Sequence, residues 1–128
     1  MKIDKFFIIA LSFLLLISCD PPIYFDTYIK NNCNDTIEVK CEAGAFKAER
    51  ENITIVVLPL NTVFLYQKKD ILGFSKKDIN IFIKQLEIKK IGCLINFNPL
   101  DDLDRWTFEQ LSQDSYKSVL TVYPEDFE

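Results

Sequence analysis

The chain of 128 residues contains no histidine. Histidine is the side chain that most often acts as a general base or a metal ligand, so its absence removes the Ser-His and Cys-His dyads and the commonest metal site. The three glycines leave no glycine-rich loop to cradle a phosphate. The net charge is −4, with no basic stripe, which argues against nucleic acid as a partner. We therefore predict that the chain is not an enzyme and binds no cofactor and no metal.

The first twenty residues have the composition of a secretion signal. Lys2 and Lys5 precede an apolar run of 12 residues from Phe6 to Ile17. A helix that crosses the hydrocarbon core of a bilayer needs about 20 such residues. The two prolines at 21 and 22 prevent the helix from continuing. This order is typical of a signal peptide rather than of a stable transmembrane span.

The end of the apolar run resembles the lipobox of bacterial lipoproteins. Residues 16–19 (LISC) supply an aliphatic residue, a variable residue, a small residue and then a cysteine. The resemblance implies that residues 1–18 are removed and that a diacylglyceryl group, carrying chains such as palmitate, is attached to the sulfur of Cys19. Residues 19–23 are then the lipidated cysteine with a short tether, and residues 24–128 form a single β-rich domain. An ordinary cleaved signal and an uncleaved anchor are the alternatives.

As a whole, the chain resembles the small lipoproteins of Gram-negative cell envelopes. The likeness rests on the lipobox, on an Asn-rich turn before a strand at 36–42, and on a late tryptophan segment followed by a strand that ends at Tyr123. It implies a membrane-anchored location in the bacterial cell envelope and an envelope protein or a glycan as partner. No general activity is established for that group. Asp20 after Cys19 resembles a retention signal of one sorting system only, so the choice between inner and outer membrane stays open.

The pattern of apolar residues predicts six strands. Alternation is cleanest at 36–42, where Ile37, Val39 and Cys41 share one face. The other predicted strands are rich in β-branched and aromatic residues. They cover residues 23–29, 53–58, 62–67, 91–97 and 116–123.

Two helices are predicted in the second half of the chain. A segment at 76–86 begins with a sequence that resembles a capping box. It then places apolar side chains at helical spacing, namely Ile79, Phe82, Ile83 and Leu86. A second helix is predicted at about 102–112, because acidic residues favour a helix N-terminus. We therefore predict an α+β domain with one sheet and helices mainly on one face; a β-sandwich with an inserted helix is the alternative.

Two sequence features are candidate binding sites. Asp101, Asp102 and Asp104 lack the central glycine and distal glutamate of a calcium loop, so we interpret them as an acidic helix start. Trp106 could stack on a sugar if exposed, but a tryptophan is more often buried, and we predict that it packs against the core.

Three cysteines follow Cys19 in the chain. We expect no disulfide between Cys33 and Cys41, because an intervening straight strand would hold them too far apart. If a bridge exists, we expect it between Cys41 and Cys93; otherwise both are buried apolar residues. We expect Cys33, which lies in a turn, to be the thiol that reacts first.

Three functional hypotheses follow. We favour a lipid-anchored binding or interaction module. The alternative is an immunity or enzyme-inhibitor lipoprotein acting at the membrane, which an exposed, rigid acidic loop at 101–104 would support. An enzyme ranks last, and a cleft with two convergent carboxylates would revive it.

Overall fold

The computed structural model describes residues 23–44, 47–69 and 79–128, which form eight strands in two four-stranded sheets. The strands are β1 (Tyr24–Asn31), β2 (Ile37–Ala43), β3 (Glu51–Val57), β4 (Thr62–Lys69), β5 (Ile83–Lys90), β6 (Cys93–Leu94), β7 (Trp106–Ser112) and β8 (Ser115–Val122). The helical elements within these ranges are the α-helix α1 (Ile79–Phe82) and three 3-10 turns, Lys47–Glu49, Leu103–Arg105 and Pro124–Phe127. The predicted signal peptide and Cys19 lie outside the described residues.

The first sheet has the strand order β4-β1-β8-β7. β1 runs parallel to β8 and antiparallel to β4, and β7 is antiparallel to β8. Along β1 the side chains of Phe25, Thr27, Ile29 and Asn31 are fully buried, and those between them are more exposed. Because successive side chains of a strand point to opposite faces, these four residues form the inner face of the sheet.

The second sheet has the order β3-β2-β5-β6, with all pairs antiparallel. The predicted alternation of β2 is confirmed, since Ile37, Val39 and Cys41 are buried on one face. β6 is only two residues long and pairs with the last two residues of β5. Most of β5 therefore has a strand neighbour on one side only within the described residues.

Both sheets contribute to one hydrophobic core. The ring of Phe25 on β1 packs edge-on against Phe82 of α1, with centroids 5.3 Å apart, and stacks on Phe108 of β7 at 6.0 Å. Two buried hydroxyls, Thr27 Oγ1 and Ser118 Oγ, have no hydrogen-bond partner within the described residues. Their residues are register neighbours on β1 and β8, so the most regular part of the sheet contains a polar defect.

The two sheets meet at common ends. Where β1 ends, the Asn31 side chain donates a hydrogen bond to the carbonyl of Val57, the last residue of β3, at 3.0 Å. Where β1 begins, Phe25 meets Phe82. We call the end that carries Tyr24 the proximal end and the end that carries Asn31 the distal end.

Of the predicted helix at 76–86, Ile79–Phe82 is helical and the rest of the described part is wrong. α1 ends at Phe82, and the eight residues from Ile83 onward form β5. Residues 76–78 lie outside the described residues.

A β-bulge explains the misleading spacing. Ala43 of β2 faces Ile83, but the preceding Glu42 faces Gln85, so β5 carries one extra residue at this point. The extra residue puts Ile83 and Leu86 on the same side of the sheet although they are three positions apart. In a regular strand, residues three positions apart lie on opposite faces. A buried pair at this spacing is instead typical of a helix, which is why the sequence predicts one here.

The second predicted helix, at 102–112, is also wrong. The chain makes a short 3-10 turn at Leu103–Arg105 and then enters β7 at Trp106. Along β7, Trp106 is buried and Phe108 half-buried, whereas the intervening Thr107 is exposed. This alternation of aromatic and β-branched residues is a strand pattern.

The predicted strand at 91–97 shrinks to the two residues of β6. Ile91 and Gly92 form a turn with positive φ values of 50° and 78°. After Ile95 the chain leaves the sheet, because the backbone N–H of Asn96 donates to the carbonyl of Asp126 at 2.7 Å.

The predicted α+β class with one sheet and two helices is therefore overturned. The described residues form a β-rich domain of two packed sheets, and their α-helix is limited to the four residues of α1. The alternative, a sandwich with an inserted helix, fails on the same point. Within the described residues, no helix has the length and apolar character needed to cross a membrane.

Candidate functional site

The open edge of β5 is the feature of the fold best suited to bind another chain. On the side away from β2, the carbonyl of Ile88 accepts a hydrogen bond from Ile95 at 2.9 Å. In an antiparallel ladder the backbone groups of alternate residues point to the same side. The N–H and C=O of Leu86 therefore point the same way as those of Ile88. β6 reaches only Lys89 and Lys90, so no strand of the described residues pairs with Leu86.

A cleft of about 340 Å³ lies beside this edge. Its polar and charged lining residues are Lys84, Gln85, Glu87 and Asn98. Leu94, one of its apolar residues, is 56% exposed. The other apolar side chains on its wall are Leu86, Ile88, Ile95, Phe97, Pro99 and Leu100. A cleft of mixed polar and apolar lining, beside backbone groups that no described strand pairs, can accept an extended segment of another chain.

The far wall of the cleft is held by hydrogen bonds rather than by strand pairing. The buried indole of Trp106 donates from Nε1 to the carbonyl of Pro99 at 2.8 Å. The side-chain oxygen of Asn98 accepts from the backbone N–H of Leu100 at 3.1 Å. Since Asn98, Pro99 and Leu100 all line the cleft, its shape depends on these contacts.

A polar cluster joins this wall to the C-terminal turn. Arg105 forms an ion pair with Asp126 at 2.5 Å, and its guanidinium lies 4.2 Å from the ring centre of Phe97. The same carboxylate oxygen of Asp126, Oδ2, also accepts a hydrogen bond from the backbone N–H of Tyr123 at 2.8 Å. The side-chain hydrogen bond to Asp126 raises the pKa of Arg105, and burial opposes that rise. Arg105 therefore stays charged and clamps the wall to the end of the chain.

The acidic residues after this wall are exposed. Asp101, Asp102 and Asp104 face solvent, and we call residues 101–104 the acidic loop. One carboxylate oxygen of Asp101 accepts a hydrogen bond from the side-chain amide of Asn98 at 3.0 Å, which connects the loop to the cleft. Among the described residues, no cluster of acidic or cysteine side chains is placed to hold a metal ion. The interpretation of these residues as a helix start is wrong, because the turn that follows is 3-10 and short.

Trp106 lies in the core, as predicted, with 2% of its surface exposed. Its role is to hold the cleft wall through Pro99, and it offers no face to a sugar. It does so from a strand rather than from the predicted helix.

The cysteines follow the prediction in part: Cys41 is buried as expected, whereas Cys33 is also buried and Cys93 is exposed. Cys33, Cys41 and Cys93 are free thiols, and the one that is exposed is Cys93. Burial raises the pKa of Cys33 and raises that of Cys41 to about 11. Because the thiolate is the reactive form, Cys93 rather than Cys33 should react first.

Sequence reasoning missed the open edge of β5. The signal was present in Leu86 to Lys89, where apolar and charged residues alternate, followed by the turn residues Ile91 and Gly92. The length of β6 is not visible in that pattern, because it depends on the contact between Asn96 and Asp126. The predicted lipidation site, Cys19, lies outside the described residues.

Comparison with known proteins leaves this geometry as the basis for a functional interpretation. No family model matches the chain. No curated protein matches it, and neither does any solved structure.

Proposed function

We propose that the chain is a bacterial envelope lipoprotein, anchored in a membrane through lipid on Cys19, whose domain binds another envelope component. The observation that carries the binding role is the open edge of β5 with its adjoining cleft. The anchor rests on the signal-like leader and the lipobox. We propose no catalytic role, because the chain lacks histidine and with it the usual general base.

The proposed anchor also orients the domain. Cys19 precedes Tyr24 by five residues, and an extended chain of that length spans about 17 Å. The proximal end, where β1 starts, would therefore lie close to the membrane surface. The acidic loop is linked through Arg105 and Asp126 to the distal end, so it would point away from the lipid.

Metabolic labelling tests the anchor. We expect labelled palmitate to enter the wild-type chain and to be absent from the Cys19→Ala variant. A Cys33→Ala variant is the matched control and should retain the label, because that thiol is buried. Label that persists after Cys19→Ala would contradict the lipoprotein assignment.

Site-specific photo-crosslinking tests the binding surface. A benzoylphenylalanine placed at Leu94 should crosslink a discrete envelope partner. The matched control is Leu111 on β7, which is 53% exposed, compared with 56% for Leu94. Equal crosslinking at both positions, or none at either, would contradict a binding role for the β5 edge.

A second candidate function is an immunity or inhibitor lipoprotein. The acidic loop favours it, because three carboxylates are exposed on a backbone fixed by Asn98 and by the Trp106–Pro99 hydrogen bond. Such a loop could enter the basic site of a toxin or hydrolase. Protection of cells that depends on Asp102 and Asp104, and not on Leu94, would favour this candidate over the first.

A further inference from the structure

We propose that the distal end of the domain inserts aliphatic side chains from two turns into an apolar pocket of a second, different envelope protein. We call this surface the apolar tip, and its residues are Val56, Leu58, Leu60 and Ile91. The inference rests on the proposed lipid anchor but concerns a surface other than the cleft beside β5. It is carried by the conformation of the two turns, by their position and by the length of the tether.

The turn between β3 and β4 places a leucine where the backbone favours glycine. The backbone N–H of Asn61 donates to the carbonyl of Leu58 at 3.1 Å, which closes a four-residue turn. A proline at position 59 precedes Leu60, whose φ is 63°. This combination is the type II pattern, whose third residue is usually glycine or asparagine, because most side chains are strained at positive φ. Leu60 occupies this position, and its side chain is 68% exposed.

The turn between β5 and β6 has the same feature. Lys90 pairs with Cys93, so Ile91 and Gly92 form a two-residue hairpin turn, and both have positive φ. Such type I′ turns favour asparagine, aspartate or glycine at the first of the two positions. Ile91 holds a β-branched side chain there that is 78% exposed and is not part of the hydrophobic core. Because strain of this kind persists mainly where it serves a function, its occurrence in both turns indicates a binding role.

Strand register places the two turns side by side at the distal end. Ile37 of β2 pairs with Val57 on one side and with Lys90 on the other. Two strand spacings separate these neighbours, so the turns that follow them lie about 10 Å apart. Val56 and Ile91 line one depression of about 430 Å³ between the turns. The side chains of the apolar tip can therefore contact a single partner.

The charged residues that line this depression already have partners. They are Glu38 and Lys89. The carboxylate of Glu38 lies 3.4 Å from the ammonium of Lys40, and the ammonium of Lys89 lies 3.1 Å from the carboxylate of Glu87. These four charges cancel, and the turn at 58–61 carries none. The surface therefore favours an apolar partner over a charged one.

The proposed anchor limits which apolar partner can reach the tip. The five residues from Cys19 to Tyr24 span about 17 Å, whereas the eight residues of β1 span about 26 Å. Since the tip lies at the other end of β1, a tip-first contact with the anchoring membrane would lift Tyr24 beyond the reach of Cys19. Two copies that met tip to tip would carry their anchors on opposite sides, so one membrane could not hold them. The occupant that remains is a different protein.

Photo-crosslinking in intact cells tests the proposal, with benzoylphenylalanine at Leu60 of the full-length chain. We expect an adduct of discrete mass with a protein other than this chain. Ile91→Gly, which removes the aliphatic side chain of the other turn, should reduce that adduct at least about tenfold. Leu111→Gly on β7 is the matched control, since Leu111 is also exposed, and should leave the adduct unchanged.

Thermal unfolding of the purified full-length chain in detergent micelles tests the role of the strained side chains. Leu60→Gly and Ile91→Gly should each raise the unfolding midpoint by about 4 °C, because glycine adopts a positive φ without strain. Leu111→Gly should not raise it, because the φ of Leu111 is not positive. A lower midpoint in both turn variants would mean that these side chains stabilise the domain, and would overturn the binding role.

The adduct at Leu60 identifies what covers the tip. An adduct with phospholipid, or one of twice the mass of the chain, would overturn the proposal, and so would a protein adduct that Ile91→Gly leaves unchanged. The absence of any adduct at Leu60 would also overturn it, and crosslinking at Leu94 would then show whether the proposed function stands. An adduct at Leu60 without one at Leu94 would contradict binding at the β5 edge and support the apolar tip.

Discussion

In the central pair, β1 and β8, buried and more exposed residues alternate along all of β1 and from Ser118 to Val122 of β8. In the tied segment, residues 95–105, the chain follows no regular ladder, and its positions depend on distant partners. Asn96 is bound by Asp126, Pro99 by Trp106, and Arg105 by Asp126 again. The difference teaches that local pattern accounts for the core of this domain, whereas contacts remote in sequence shape its binding edge. Four experiments test that contrast.

The largest effect should come from the central pair. Phe25 is fully buried, so Phe25→Ala should lower the free energy of unfolding by about 3–5 kcal/mol. Phe64→Ala on the neighbouring β4 is the control, since Phe64 is 47% exposed, and should lower it by less than about 1 kcal/mol. Urea unfolding measures both. Similar losses would mean that the inner face of the first sheet is misassigned.

The tied segment should be weakened most at Arg105. Arg105→Met leaves the carboxylate of Asp126 buried without its cation and should destabilise the fold by about 2–3 kcal/mol, less than a fully buried pair would because the Arg105 side chain is 26% exposed. Lys89→Met, in an exposed pair with Glu87, should change stability by less than about 0.5 kcal/mol. Hydrogen exchange should locate the first loss at Asn96. Global destabilisation without local loosening there would contradict a clamp.

Two thiols of the second sheet, Cys41 and Cys93, should differ in how they affect the pH dependence of stability. Burial raises the pKa of Cys41 from 9.0 to about 11, so between these values the folded state holds a proton that the unfolded state releases. The protonated Cys41 thiol therefore makes its full contribution to the free energy of unfolding below pH 9. That contribution decreases by about 2 kcal/mol as the pH rises toward 11. When each variant is compared with its own free energy of unfolding at pH 8, Cys41→Ala should lose less stability between pH 9 and pH 11 than the wild-type chain. Cys93→Ala should lose as much as the wild-type chain. An identical slope in both variants would contradict a buried Cys41 thiol.

The smallest effect is a gain at the polar defect of the central pair. Thr27→Val removes a buried hydroxyl that lacks a partner within the described residues, so it should stabilise the fold by about 1 kcal/mol. Thr107→Val is the control, because its hydroxyl is exposed and donates to Val119, and should change stability by less than about 0.5 kcal/mol. Thermal unfolding compares them. A loss of stability in Thr27→Val would show that a buried water satisfies the hydroxyl.

Strands with an unbroken period of two were predictable from the sequence. β2 alternates from Ile37 to Ala43 without interruption, and its strand and buried face were both predicted. β5 was mistaken for part of a helix because a bulge opposite Ala43 changes the spacing of its apolar residues. A single extra residue is a property of the ladder, which includes β2, and cannot be predicted from the sequence of β5 alone.

The acidic loop shows a different reason for failure. Aspartates favour a helix N-terminus, and that preference predicted a helix at 102–112. The indole of Trp106 must reach both the core and the carbonyl of Pro99, and the chain meets these demands as a strand. Tertiary packing overrides a local preference of this size.

The sequence by itself determined the signal-like leader, the resemblance of Cys19 to a lipidation site, and the inner face of β2. These properties depend on residues close together in the chain, through composition or a period of two. Only the tertiary structure decided that β6 stops after two residues, that Cys33 is buried and Cys93 exposed, and that a cleft opens beside Leu86. Each of these depends on hydrogen bonds and packing between segments far apart in sequence, such as Asn96 with Asp126. Because such contacts form only when both sheets are assembled, no local pattern contains them.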